Sequence, residues 1–190
     1  MALYTFRLIE VFMPAVRFTR RFSMAHRLIA DAASKCAVPH GHNEFVTVTL
    51  EPLAEIEFGG SNYAASFERL KTRWHGFVDR SLDHAFQLNA EDPLLNYFKD
   101  HEPQRLKQVL VVDGDPTTEA LVIALWRKLE AIIAVESLPF RLSELAIEET
   151  PTNTVLARGL TDAERAWPLA GWCDRADNSI NDILPPETWA

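Results

Sequence analysis

The sequence has only two cysteines, Cys36 and Cys173, and no apolar run that approaches the ~20 residues of a membrane span. A single bridge fits a secreted disulfide framework poorly, so both cysteines are expected to be free thiols. The start of the chain, Met1 to Phe12, contains the acidic Glu10 and no small-residue cleavage site. These absences predict a cytoplasmic protein with no membrane association.

Positive charge is also scarce, because 19 Lys and Arg face 27 Asp and Glu, for a net charge of −8. Proteins that coat nucleic acid need a basic surface to displace counterions, so no nucleic-acid partner is expected. Hydrophobic residues make up 47% and charged residues 24% of the 190 positions, as in ordinary globular proteins. The length suits one domain with a core of its own.

Hydrophobic patterning predicts an α+β domain with the element order β-β-α-α-β-β. The predicted elements are strands within residues 16–28 and 45–50, helices over 66–78 and 115–133, and a hairpin of residues 140–149 and 154–158. The second helix is expected to begin with Asp115 as its cap and Pro116 at the first helical position. A loop over residues 31–39 joins the first two strands and carries Cys36.

Three histidines are spaced so that they can meet at one metal ion. His40 and His42 lie two residues apart at the start of the second strand, where alternate side chains share a face. His26 ends the first strand, and a hairpin-like return brings it beside the other two. Three imidazoles with an open fourth position form a catalytic zinc site, although an isolated His-x-His pair is more often solvated. Cys36 could be a fourth ligand of a structural centre or a free thiolate beside the ion.

Six short motifs occur along the chain in a set order: Phe22–Leu28, Cys36–Asn43, Phe67–Lys71, Leu82–Asn89, Pro116–Glu119 and Glu149–Thr150. Their pattern, F-S-x-x-H-x-L and C-x-x-x-H-G-H-N above all, resembles the 6-pyruvoyl/6-carboxytetrahydropterin synthase family. The resemblance extends from about Val16 to Gly159. Several spaced motifs together are far more specific than any one of them.

The resemblance implies a zinc-dependent lyase. It implies that His26, His40 and His42 bind Zn²⁺ and that Cys36 is the base that removes a proton from the substrate's side chain. The implied reaction converts 7,8-dihydroneopterin triphosphate to 6-carboxy-5,6,7,8-tetrahydropterin, with release of triphosphate and acetaldehyde, in queuosine and 7-deazaguanine synthesis. The short spacing from Cys36 to His40 resembles the carboxy-forming type.

Two further sets of residues take roles from the same resemblance. Asp83 and His84 resemble a pair that polarises Cys36 or shuttles protons, and in the family such residues can come from an adjacent subunit. Glu149 resembles the carboxylate that accepts hydrogen bonds from the pterin ring. Without the family, Asp83 and His84 would read as an ordinary helix end and Glu149 as a solvated strand residue.

The implied architecture is the tunnelling fold (T-fold), a four-stranded antiparallel sheet with two helices on one face. Three subunits close a barrel and two trimers stack, so a homohexamer that binds a small pterin substrate is expected. Residues 1–159 form the predicted T-fold domain, and residues 160–190 form a C-terminal extension of unknown role.

Three positions depart from the family's pattern: Glu44 stands where an aromatic residue is usual, Ser66 where Asp is usual, and Ala120 where Asn is common. They leave three alternatives open. The chain could form 6-pyruvoyltetrahydropterin instead. It could be a non-catalytic zinc-binding paralogue, or a zinc hydrolase in which metal-bound water acts and Cys36 is idle.

Overall fold

A six-stranded mixed sheet is the frame of the protein, which a computed structural model describes over residues 13–167 and 171–189. The strands are β1 (Val16–His26), β2 (His40–Pro52), β3 (Ala85–Asn89), β4 (Val109–Val112), β5 (Phe140–Thr150) and β6 (Asn153–Ala157). The helices are α1 (Phe67–Phe77), α2 (Pro93–His101), α3 (Thr118–Val135) and the short α4 (Asp162–Ala166). The strand order is β4-β3-β1-β2-β5-β6, with β1, β2, β5 and β6 antiparallel and with β3 parallel to both β1 and β4.

The α+β class is confirmed, but the predicted four-stranded antiparallel sheet is wrong, because β3, α2 and β4 lie between the two predicted helices. These two strands have five and four residues, and all four residues of β4 are buried. A strand covered on both faces has no alternation of apolar and polar residues, so its period of two is absent from the sequence.

The core lies between the inner face of the sheet and helices α1 and α3. Alternate residues of β1 and β2 point inward, and β5 contributes its inner face beside them. The largest buried side chains include Phe22, Trp74, Phe77, Leu125 and Leu129. Burial of each such side chain stabilises the fold by about 2 kcal/mol, so this layer holds the sheet in place beneath the helices.

Helix α3 begins two residues later than its sequence signals predict. Thr117 caps the helix, since its side chain accepts a hydrogen bond from the Ala120 N–H. Asp115 instead reaches across to the backbone of the loop between β1 and β2. None of the helices in the described residues has the length and apolar character of a membrane span.

The C-terminal segment 171–189 packs into the same core. Its buried members are Trp172, Cys173, Ile180 and Trp189. The fully buried ammonium of Lys128 on α3 donates to the carbonyl oxygens of Arg175 at 2.7 Å and Asp177 at 3.2 Å. It also lies over the rings of Phe77 and Trp172. Lys128 is thus one of several side chains of the domain that hold this segment, together with Arg73, which donates to the Ala176 carbonyl.

We expect Lys128→Met to lower the free energy of unfolding by about 3 kcal/mol, because the tail carbonyls and the Asp177 carboxylate lose a buried cation. Urea denaturation followed by tryptophan fluorescence measures the change. Lys99→Met, at an exposed position of α2, is the matched control and should change stability little. Equal stability of the two variants would contradict the role of Lys128 in holding the C-terminal segment to the domain.

Candidate metal centre and active site

Three imidazoles meet where β1 ends and β2 begins. In the antiparallel register His26 lies directly opposite His40, and Met24 lies opposite His42. The ligand atoms of the three histidines all lie within 4.8 Å of one another, and the Nε2 atoms of His26 and His40 are 3.1 Å apart. Strand pairing alone therefore brings three potential metal ligands together.

The hydrogen bonds of two of these rings fix which nitrogen is available to a metal. The Nδ1 atoms of His26 and His40 lie 2.9 Å from the carbonyl oxygens of Pro116 and Val38, respectively. A carbonyl can only accept, so both rings carry a proton on Nδ1, and in its neutral form each ring presents a lone pair on Nε2. Burial lowers the pKa of His26, which favours the neutral form that ligates metals.

These residues fit a zinc ion. With both rings neutral and protonated on Nδ1, the Nε2 lone pairs would face each other across 3.1 Å, and a cation between them relieves that repulsion. Nitrogens that share a tetrahedral zinc at about 2.1 Å are about 3.4 Å apart, close to the observed separation. A carbonyl that accepts from the second ring nitrogen is also the usual outer partner of a metal-bound histidine.

A cavity of about 690 Å³ opens beside the histidines. Its walls are His26, Leu28, Cys36, His40, His42, Thr117, Thr118, Glu119, Glu149, Thr150, Thr152, Asn153, Thr154 and Val155. Within it, Thr118 Oγ1 donates to Glu149 Oε1 at 2.6 Å, which fixes the carboxylate at the start of α3. The structure thus brings Cys36 and Glu149 into one cavity with the three histidines.

Cys36 is held on a single 3-10 turn, Lys35–Ala37, within the loop between β1 and β2. Ser34 caps this turn by accepting from the Cys36 N–H at 3.1 Å. The Cys36 carbonyl accepts from the Leu28 N–H at 2.8 Å, so the loop folds back onto the end of β1. The thiol is half-buried, whereas Cys173 is buried in the core.

Of the pair Asp83 and His84, His84 lines a different cavity, of about 410 Å³, whose lining includes His42 but not Cys36. Their side chains pair at 3.0 Å between Asp83 Oδ2 and His84 Nδ1. Asp83 also accepts from the Ser23 N–H at 2.8 Å, and His84 has a positive φ of 67° with a largely exposed side chain. Within one subunit, the structure does not bring this pair to the cavity that Cys36 lines.

The sequence marks Glu44 only as a departure from the family's pattern, yet it is 3% exposed and lies on the same face of β2 as His40 and His42. Its Oε2 has no hydrogen-bond partner among the described residues. Burial, and then the charge of Glu149, raise the pKa of Glu44 to about 8. The period of two along β2 was the signal that could have placed this carboxyl beneath the metal centre.

Comparison with known proteins agrees with this geometry. The model of the 6-pyruvoyl tetrahydropterin synthase family matches residues 15–159. The chain belongs to this family. The probable 6-carboxy-5,6,7,8-tetrahydropterin synthase of Halobacterium salinarum is 30% identical over 136 residues, which cover 70% of this chain and 79% of that protein.

Solved structures of similar fold agree as well. The 6-pyruvoyl tetrahydropterin synthase of Caenorhabditis elegans is 27% identical with a TM-score of 0.51, over 78% of this chain and 98% of that one. An uncharacterised protein of Wolinella succinogenes has a TM-score of 0.64 at 21% identity, over 79% of this chain and 100% of that one. The resemblance inferred from the motifs is therefore confirmed.

His40→Ala should weaken zinc binding more than about 100-fold, because it removes one of three converging nitrogens. Competition with a chelator of known affinity, together with metal analysis of the purified protein, measures the effect. His101→Ala, at an exposed position on α2, should leave the affinity unchanged. Wild-type zinc affinity in His40→Ala would show that the three rings do not form the metal site.

Glu44 should make the metal-free protein less stable as the pH rises. Its pKa is about 8 in the folded chain against an ordinary 4.5, so the folded state binds more protons between these values. The free energy of unfolding should fall between pH 5 and pH 8, by on the order of 3–5 kcal/mol at most. Glu44→Gln should remove this slope, and Glu148→Gln, exposed on the opposite face, should keep it. If the free energy of unfolding fell equally with pH in the wild type and in Glu44→Gln, the pH dependence would not come from Glu44.

Proposed function

We propose that this chain is a zinc-dependent lyase that converts 7,8-dihydroneopterin triphosphate to 6-carboxy-5,6,7,8-tetrahydropterin. The observation that carries the proposal is the shared cavity, which holds three histidines, a thiol and an anchored carboxylate. The name of the Halobacterium salinarum relative supports the carboxy-forming reaction over its alternatives.

His26, His40 and His42 would hold the ion, and the two carbonyl oxygens behind them would keep His26 and His40 in the ligating tautomer. When bound, zinc supplies the Lewis acidity that makes the carbon–hydrogen bonds beside the substrate's side-chain hydroxyls easier to ionise.

Cys36, as a thiolate, would take the proton from the substrate's side chain. Glu149 would accept hydrogen bonds from the 2-amino group and N3–H of the pterin ring, and Thr118 keeps one of its oxygens in position. The ring would then be fixed at one end of the cavity and the side chain at the metal. The overall change takes up water and releases triphosphate and acetaldehyde.

A homohexamer built from T-fold trimers would complete the site. Among the described residues, several strand edges lack a strand partner, including the outer edge of β6 and residues 16–22 of β1, because β3 pairs only with Met24–His26. Unpaired edges of this kind are satisfied when sheets join between subunits. We propose that a neighbouring subunit then supplies its Asp83–His84 pair to the Cys36 cavity.

Zinc-loaded protein incubated with 7,8-dihydroneopterin triphosphate should yield 6-carboxytetrahydropterin, detected by mass, and acetaldehyde. Cys36→Ala should lose at least about 100-fold in kcat, because it removes the base, while keeping its zinc. Cys173→Ala, the same change at the buried cysteine, should retain turnover.

The other outcomes separate the alternatives. A 6-pyruvoyl product without acetaldehyde would replace the proposed reaction by its relative in the family. Bound zinc with no turnover would indicate a non-catalytic paralogue. Full activity in Cys36→Ala would indicate chemistry that needs only the metal, and loss of zinc in that variant would make Cys36 a structural ligand.

A further inference from the structure

The loop that carries Cys36 is held by side chains that are distant in sequence. Arg27, next to the metal-site histidine, forms a bidentate pair with the fully buried carboxylate of Asp92, with Nε 2.6 Å from Oδ2. Two residues further on, the backbone amides of Ile29 and Ala30 both point at Asp115. The loop between β1 and β2 is therefore anchored at the end where it leaves β1.

Asp115 uses both carboxylate oxygens for this contact. Oδ1 accepts from the Ile29 N–H at 2.9 Å, and Oδ2 accepts from the Ala30 N–H at 3.0 Å. The amide of Asn89 reaches the same carboxylate at 3.5 Å. Hydrogen bonds to an ionised acceptor are roughly twice as strong as neutral ones. Asp115, which the sequence predicts as the helix cap, thus binds the loop instead, and Thr117 caps α3.

One further hydrogen bond connects the segment that Asp115 holds to Cys36. The Leu28 N–H, one residue before the pair of amides that Asp115 holds, donates to the Cys36 carbonyl at 2.8 Å. The residue after Asp115 is Pro116, whose carbonyl accepts from His26 Nδ1. Asp115 thus holds the loop that carries Cys36, and the next residue, Pro116, holds His26 of the candidate metal site.

We propose that Asp115 is a positioning residue that sets the distance and direction of Cys36 relative to the three histidines. This inference rests on the proposed function for the role of Cys36 as base. A proton transfer to a misplaced base is slow, and a shift of about 1 Å can cost 100-fold in rate. The loop's own contacts within residues 31–37 form a turn but do not tie that turn to the sheet.

Asp115→Ala should lower kcat about 10- to 100-fold and change KM less than about threefold, because the ring anchor at Glu149 is untouched. Zinc content should stay at the wild-type level, since Pro116 binds His26 through its backbone. Asp115→Asn keeps one acceptor oxygen, already within 3.3 Å of the Ala30 N–H, and should recover part of the loss. Asp113→Ala, at an exposed position two residues earlier, is the matched control.

A second measurement does not depend on pterin turnover. The rate at which iodoacetamide alkylates Cys36 in the zinc-loaded protein, followed by peptide mass, should rise at least about threefold in Asp115→Ala and stay unchanged in Asp113→Ala, because the released loop exposes the thiol. A wild-type alkylation rate in Asp115→Ala would overturn the proposal even if the protein has no lyase activity. A fall in kcat that only follows loss of zinc would overturn it too.

Discussion

The register between β1 and β2 is the constraint on which the site depends. With His26 opposite His40, two rings meet across the strands and His42 adds a third from one layer further along β2. A slip of one residue would turn every inward side chain of one strand outward and separate the ligands. The register is secured by the same alternation that buries Phe22, Val46 and Val48, so one pattern of alternation forms both the core and the histidine cluster.

The inner face of β2 changes from apolar to polar in the direction of the site. Val48 and Val46 are fully buried, Glu44 is buried with one oxygen unpaired within residues 13–167 and 171–189, and His42 and His40 line the cavity. A buried carboxyl beside Glu149 is costly, because burial and then the charge of Glu149 disfavour ionisation of Glu44 and raise its pKa to about 8. The inner face of β2 therefore ends in a buried polar layer beside the three histidines.

Much of the fold and site could be predicted from the sequence, and the failures have physical reasons. The period of two in β2 and the spacing of His40 and His42 depend on local geometry, which a sequence displays directly. Strands β3 and β4 are short and covered on both faces, so no such period exists to be read. Asp115 satisfies local rules for a helix cap, but its partners Ile29 and Ala30 are 85 or more positions away, and only the fold brings them within reach.

The tail shows that the extent of a family resemblance need not be the extent of a core. The family match ends at residue 159, yet Val111 of β4 donates its N–H to the Ile180 carbonyl, and its own carbonyl accepts from the Trp172 indole. These contacts cover the outer edge of β4, which would otherwise expose unpaired backbone groups. β4 pairs with β3, and β3 pairs with the last three residues of β1. The C-terminal segment 171–189 therefore supports, through these two strands, the end of β1 that carries His26.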